Sequence, residues 1–130
     1  MSKVPVISII DDDVSVRIAI SRLVRSLGYL AHAFESANEF LKSQHVNDTR
    51  CVIADVQMPG MTGIELQGFL HAQGSSMPMI FITAFPEESI RARALKGGAV
   101  GFFSKPFDGT KLIECIDSAL ARRDGRSFEP

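Results

Sequence analysis

The stretch that decides the fold is residues 6–13, VISIIDDD, in which a short run of β-branched residues ends in three aspartates. An apolar run of this kind predicts a buried strand over Val6–Ile10. From there the apolar residues take on the period of a helix, recurring at Val16, Ile20, Leu23, Val24 and Leu27. A strand followed by a helix, with acidic residues at the junction, is therefore the first unit of the predicted fold.

The same strand–helix unit recurs along the rest of the chain. Further strands are predicted at 29–34, 51–54, 79–82 and 99–103. Ser36 with Glu39, and Thr62 with Glu65, each match a capping box and so mark the start of the second and third helices. Asp108 is expected to cap the fifth helix.

Two of the predicted helices differ in how much apolar surface they offer. The third is expected to turn Leu66, Phe69 and Leu70 towards the core. The fourth, which ends near Lys96, carries few large apolar residues, so it is predicted to be the least firmly packed element.

Five strands that alternate strictly with five helices indicate an α/β fold with a parallel sheet and helices on both faces. The continuous apolar character of strands 1, 3 and 4 agrees with burial on both sides. We predict a (βα)5 flavodoxin-like doubly wound parallel sheet with strand order 2-1-3-4-5. The domain is expected to cover residues 1–121, and residues 122–130 to form a C-terminal tail or the start of a linker.

Charge and cysteine usage narrow the class of protein. The formal net charge is -1, whereas nucleic-acid-binding domains of this size are usually strongly basic, so no direct nucleic acid binding is expected. Neither a long apolar span nor a signal-peptide pattern is visible, which argues against a membrane segment or secretion. Cys51 and Cys115 lie in apolar stretches without CxxC pairing, as buried thiols of a reducing compartment do. We therefore expect a cytoplasmic location.

Polar residues of complementary type follow the predicted strands. Asp11 and Asp12 follow strand 1, Asp55 follows strand 3, Thr83 follows strand 4 and Lys105 follows strand 5. The carboxyl ends of parallel strands meet at one edge of a sheet, so these side chains are expected to converge there. Carboxylates in one pocket repel each other, by roughly 4 kcal/mol per pair at about 4 Å, unless a cation joins them. An all-oxygen donor set suits Mg²⁺ or Mn²⁺ rather than zinc.

These residue types are also the equipment of phosphoryl transfer. A carboxylate such as Asp55 can act as a nucleophile and form an aspartyl-phosphate. An ammonium group such as that of Lys105 can neutralise charge on the phosphoryl oxygens.

Each of these residues also has an ordinary structural interpretation. The aspartate run could cap a helix, and Asp13 is expected to do so. Taken alone, Asp55 could be a turn residue, Thr83 a strand-end hydroxyl and Lys105 a solvated lysine. The functional interpretation is favoured because all of them fall at carboxyl ends of strands within one fold.

Four segments together resemble the signature segments of response regulator receiver domains. They are residues 9–13 (IIDDD), 55–63 (DVQMPGMTG), 82–84 (ITA) and 105–107 (KPF). The resemblance covers about residues 4–121, and the combination is specific where any one segment is not. Residues 98–107 and the pattern of the first helix are most similar to the FixJ type.

The resemblance implies a role for each residue of the site. Asp55 is implied as the phosphoacceptor, with Lys105 bridging to the phosphoryl group across a cis Lys105–Pro106 bond. Thr83 and Phe102 are implied as the switch pair. The implied Mg²⁺ ligands are Asp12 and Asp55 directly, Asp11 through water, and the backbone carbonyl of Gln57.

The resemblance also implies partners and an output. A sensor histidine kinase is the implied phosphoryl donor, and the surface of helix 4, strand 5 and helix 5 is the implied responding surface. Phosphorylation-dependent homodimerisation through that surface and control of transcription are expected. The chain is not expected to be an enzyme beyond catalysing its own phosphorylation and dephosphorylation.

Three other classes of protein share parts of this pattern. A haloacid-dehalogenase-like phosphatase also phosphorylates an aspartate after a strand, but its Asp-x-Asp pattern is absent at Asp55-Val56-Gln57. A receiver-like interaction module that no longer takes up phosphate is disfavoured because the required residues are present. A flavodoxin is disfavoured because the loop after strand 1 is acidic where a flavin phosphate needs backbone donors.

Overall fold

The computed structural model describes residues 4–123, which form a single sheet flanked by helices. The strands are β1 (Val6–Ile10), β2 (Leu30–Phe34), β3 (Thr49–Asp55), β4 (Met79–Thr83) and β5 (Gly101–Ser104). The helices are α1 (Val14–Ser26), α2 (Ala37–Lys42), α3 (Gly63–Ala72), α4 (Glu88–Lys96) and α5 (Gly109–Arg123). Residues 124–130 of the predicted tail lie outside the described residues.

The sheet confirms the predicted fold class. All neighbouring strands pair in parallel, and their order is β2-β1-β3-β4-β5. Among the residues that the structure describes, no helix has the length and apolar character needed to cross a membrane.

The core consists of two clusters, one on each face of the sheet. The first joins the sheet to α2, α3 and α4 and includes Phe40, Leu66 and Phe81. The second joins the sheet to α1 and α5 and includes Ile20 and Ile116. Burial on both faces explains why the central strands are continuously apolar.

Two strands begin later than predicted, for one shared reason. Gly28 and Gly98 adopt positive φ angles of 92° and 101°, the left-handed conformation that ends a helix. The amide of the residue that follows each glycine then bonds back to the last turn of the helix: Ala99 N–H donates to Ala94 O at 3.0 Å. In the same way Tyr29 N–H donates to Val24 O at 3.4 Å. Because the amides of Tyr29 and Ala99 are bonded to the preceding helices, β2 and β5 begin after these residues.

Strand β3 begins earlier than predicted, at Thr49 instead of Cys51. Thr49 pairs with Val6 of β1, and its hydroxyl lies 2.7 Å from the Ser8 hydroxyl. The same hydroxyl donates to His45 O at 2.6 Å. A polar residue that reads as loop is therefore accommodated inside the sheet because its hydrogen bonds are made there.

The helix starts agree with the predictions, with one difference of detail. Thr62 and Glu65 form the full capping box of α3. Ser36 caps α2 by accepting a hydrogen bond from Glu39 N–H at 3.1 Å. The Glu39 carboxylate, however, accepts from Glu35 N–H at 2.8 Å, one residue before the position that a capping box requires.

One core assignment is wrong. Phe69 was predicted to face the core with Leu66 and Leu70, but it is 42% exposed. The buried face of α3 runs instead through Gly63, Leu66, Gln67 and Leu70, and Phe69 lies at its margin.

The contrast between Phe69 and Phe81 gives a test of the packing. Phe81 is fully buried, so Phe81→Ala should lower the free energy of unfolding by about 3–5 kcal/mol. Phe69→Ala should cost about 1 kcal/mol, because much of that side chain stays in water. Urea unfolding of the two variants measures both values, and equal losses would contradict the assignment of the core.

Candidate functional site

The parallel sheet gathers polar side chains at one edge. Asp11 follows β1 directly, Asp55 is the last residue of β3, and Thr83 is the last residue of β4. Lys105 follows β5, and its N–H donates to Thr83 O at 2.8 Å, which extends the pairing of β4 with β5. Since β1, β3, β4 and β5 are consecutive neighbours in the sheet, these residues lie side by side as predicted.

Lys105 bridges two buried carboxylates. Its Nζ lies 3.0 Å from Asp11 Oδ2 and 3.0 Å from Asp55 Oδ2. Both aspartates are almost completely buried. Burial alone would lower the pKa of Lys105, but the hydrogen bonds and Coulombic attraction from Asp11 and Asp55 raise it above its usual value. The lysine therefore stays charged between its partners.

The environment of Asp11 does not fully compensate its charge. Burial raises the pKa of Asp11, and hydrogen bonds from Asp13 N–H and Lys105 offset that effect only in part. The Asp13 N–H donates to Asp11 Oδ1 at 2.9 Å, while the Asp13 carboxylate caps α1 by accepting from Ser15 N–H at 2.9 Å. The predicted role of Asp13 as the N-cap of α1 is thus confirmed.

The acidic residues fit a bound cation. Carboxylate oxygens of Asp11, Asp12 and Asp55 all lie within 4.8 Å of one another, and Asp12 is exposed to solvent. Three carboxylates face the single ammonium of Lys105 in this group, so negative charge remains in excess. Oxygen donors of this kind are typical of Mg²⁺ sites. Burial is the main cause of the raised pKa of Asp11, and a cation would offset the repulsion from Asp55 that adds to it.

The other predicted site residues lie near the acidic group, and only some of them contact it. Gln57 N–H donates to Asp55 Oδ1 at 3.1 Å, while its side chain is exposed. Thr83 is fully buried, and its Oγ1 accepts from Phe85 N–H at 3.1 Å. Phe102 is partly buried, pairs with Phe81 in the sheet register and packs against the first core cluster. The Lys105–Pro106 peptide bond is cis, as expected.

One contact of the site was not recognised in the sequence. Arg17 Nη1 donates to the Asp11 carbonyl oxygen at 2.6 Å. Arg17 lies off the apolar stripe of α1, which marked it only as a surface residue. Helix α1 starts directly after the aspartates, so a long side chain in its first turn can reach back to their backbone carbonyls. This proximity in the sequence could have indicated the contact.

Comparison with known proteins identifies the class to which this fold and site belong. The family model for the response regulator receiver domain matches residues 7–117, so the chain belongs to the receiver domain family of two-component response regulators. It is a phosphoacceptor domain rather than an enzyme that turns over a substrate.

Individual relatives place the chain near the FixJ type, as the resemblance implied. It is 42% identical over 115 residues to the response regulator protein TodT of Pseudomonas putida, covering 88% of this chain and 51% of TodT. It is 36% identical over 118 residues to the transcriptional regulatory protein FixJ of Bradyrhizobium diazoefficiens, covering 91% of this chain and 58% of FixJ. The chain thus spans about half the length of these curated relatives.

A solved structure agrees with the sequence comparisons. The response regulator StyR superposes with a TM-score of 0.87 at 36% identity, covering 97% of this chain and 64% of that one.

The excess negative charge of the site predicts an unusual effect of mutation. In metal-free buffer at pH 7, Asp11→Asn should raise the urea midpoint of unfolding, because it removes a buried charge whose environment disfavours it. The asparagine keeps an oxygen that can accept the Asp13 N–H bond. With saturating Mg²⁺ this advantage should shrink or reverse.

Asp13→Asn is the matched control, since asparagine also caps helices and Asp13 lies outside the acidic group. Its midpoint should equal that of the unmodified protein. A lower midpoint for Asp11→Asn than for Asp13→Asn in metal-free buffer would contradict this account of the site.

Proposed function

We propose that the chain accepts a phosphoryl group on Asp55 from the phosphohistidine of its cognate sensor histidine kinase. The observation that carries the proposal is the placement of the Asp55 carboxylate, which contacts Lys105 at 3.0 Å and belongs to the acidic group. In the transfer, an Asp55 oxygen forms a bond to phosphorus while the phosphorus–nitrogen bond of the donor breaks. The bonding pair remains on the donor imidazole, and the Lys105 ammonium neutralises charge on the phosphoryl oxygens.

The acidic group is proposed to work with Mg²⁺, for which Mn²⁺ can substitute. Asp12 and Asp55 would hold the ion directly, Asp11 through water, and Gln57 with its backbone carbonyl. When bound, the ion supplies positive charge that offsets the repulsion between the phosphoryl oxygens and the carboxylates. The burial of Asp11 and the excess of carboxylates over ammonium groups support this proposal.

The response is proposed to pass through Thr83 and Phe102. A phosphoryl group on Asp55 adds negative charge and hydrogen-bond acceptors. The Thr83 hydroxyl would turn towards these acceptors from its present contact with Phe85 N–H. Phe102, on the neighbouring strand β5, would then move into the space beside β4. The surface of α4, β5 and α5 changes as a result, and phosphorylation-dependent homodimerisation through it is the proposed outcome.

The wider setting of the domain is also a proposal. FixJ is by name a transcriptional regulatory protein, and this chain covers only part of it, so we propose control of transcription as the output. The proposed domain comprises residues 1–121, with 122–130 as a tail or linker, and is cytoplasmic. A net charge of -1 supports a domain that does not itself bind nucleic acid.

Phosphorylation by a small donor tests the proposed function directly. Incubation with acetyl phosphate and Mg²⁺ should add one phosphoryl group to the protein, read by intact mass. Asp55→Asn should abolish the addition because the amide is not a nucleophile of this kind. Asp13→Asn should be phosphorylated at the rate of the unmodified protein. Chelation of Mg²⁺ should slow phosphorylation of the unmodified protein and of Asp13→Asn at least about tenfold.

Addition of a phosphoryl group to Asp55→Asn, at the same rate as to the unmodified protein, would place the acceptor elsewhere. Failure of the unmodified protein to take up phosphate from acetyl phosphate and from any sensor kinase would end the proposal.

A further inference from the structure

Helix α4 buries little of its side-chain surface in the core. Of its residues, all of which the structure describes, Ala94 alone is buried. Ile90 packs in part against the first core cluster, whereas Leu95 remains 39% exposed. The position of α4 therefore depends on a small number of specific contacts.

The C-terminal end of α4 is held by Gln67 of α3. This polar side chain is buried, and its Nε2 donates to Ala94 O at 3.0 Å. The contact is also close in steric terms, since a methyl group added at Gly97 would lie 2.6 Å from Gln67 Oε1. A hydrogen bond and a tight packing contact thus meet at the same end of α4.

The backbone closes this end as well. Gly98 N–H donates to Leu95 O at 3.0 Å and Ala99 N–H donates to Ala94 O at 3.0 Å, which is the Schellman arrangement. Ala94 O therefore accepts from both Gln67 and Ala99.

The N-terminal end of α4 lacks comparable contacts. Its N-cap residue, Glu87, makes no side-chain capping hydrogen bond. Phe85, which leads into the helix, is 64% exposed. Yet this end is joined to the candidate site, because Phe85 N–H donates to the Thr83 hydroxyl.

We propose that Gln67 is a positioning residue that pins the C-terminal end of α4, so that α4 responds to phosphorylation of Asp55 by moving its N-terminal end about this contact. The second half of this statement rests on the proposed function, whereas the first half does not. A buried hydrogen bond has a large share in holding a helix that has so little apolar surface in the core.

Hydrogen exchange tests the pin without phosphorylation. Gln67→Leu removes the donor at similar volume and should speed exchange of the Gly97, Gly98 and Ala99 amides at least about tenfold. Exchange in α1, on the opposite face of the sheet, should stay within about twofold. Gln73→Leu, the same substitution at the exposed C-cap of α3, should change neither.

A second variant approaches the contact from the other side. Gly97 has φ -76° and ψ 0°, a conformation that alanine adopts readily, so Gly97→Ala carries no backbone strain. Its methyl group would displace the Gln67 amide, and the same local acceleration is expected. If Gln67→Leu accelerates exchange in all helices alike, that variant reports global destabilisation. The Gly97→Ala variant then decides whether the contact protects the end of α4. Unchanged protection at the end of α4 in Gly97→Ala, or in a folded Gln67→Leu, overturns the proposal.

The pivot is tested with beryllofluoride and Mg²⁺ as a phosphoryl mimic, read by backbone amide resonances. In the unmodified protein, residues 85–91 should shift and residues 94–99 should stay nearly fixed. In Gln67→Leu both ranges should shift, which simple destabilisation would not produce. Equal shifts of both ranges in the unmodified protein overturn the pivot. If no resonance near Asp55 responds in any protein, the proposed function fails, while the exchange result still decides whether Gln67 pins α4.

Discussion

The contact of Lys105 with two buried carboxylates is the interaction on which the rest of the site depends. At about 4 Å and an effective dielectric near 20, each pair of like charges costs roughly 4 kcal/mol, which is a large share of the stability of a small domain. Lys105 offsets part of this cost by lying 3.0 Å from both Asp11 and Asp55. The remaining excess of negative charge favours a bound cation, and the proposed role of that cation is to offset the repulsion between the carboxylates and an incoming phosphoryl group.

Hydrogen bonds at the edge of the sheet connect the charged site to helix α4 at the surface. Thr83 and Lys105 end or follow adjacent strands and are joined by a backbone hydrogen bond. The Thr83 hydroxyl in turn holds the segment that leads into α4. Helix α4 buries a single residue, and Gln67 contacts its C-terminal end. Under the proposals above, a small change at Thr83 would therefore be enough to move the N-terminal end of α4.

The fold and the site were predictable where the pattern was local. Continuous apolar strands and capping residues located the elements, and strand ends located Asp11, Asp55, Thr83 and Lys105. The errors arose where tertiary contacts decide. Phe69 fits a helical stripe, but it lies at the margin of the buried face and stays 42% exposed. Gln67 looks like a solvent-facing residue of α3, and only the approach of Gly97 and Ala94 makes it a buried contact.

The most direct test of the central claim compares two adjacent aspartates that are both exposed. Asp12 belongs to the acidic group and Asp13 does not, so a calorimetric titration with Mg²⁺ can separate a specific site from general acidity. The account predicts that Asp12→Asn weakens Mg²⁺ binding at least about tenfold, while Asp13→Asn leaves it unchanged. Equal affinities in the two variants would contradict it.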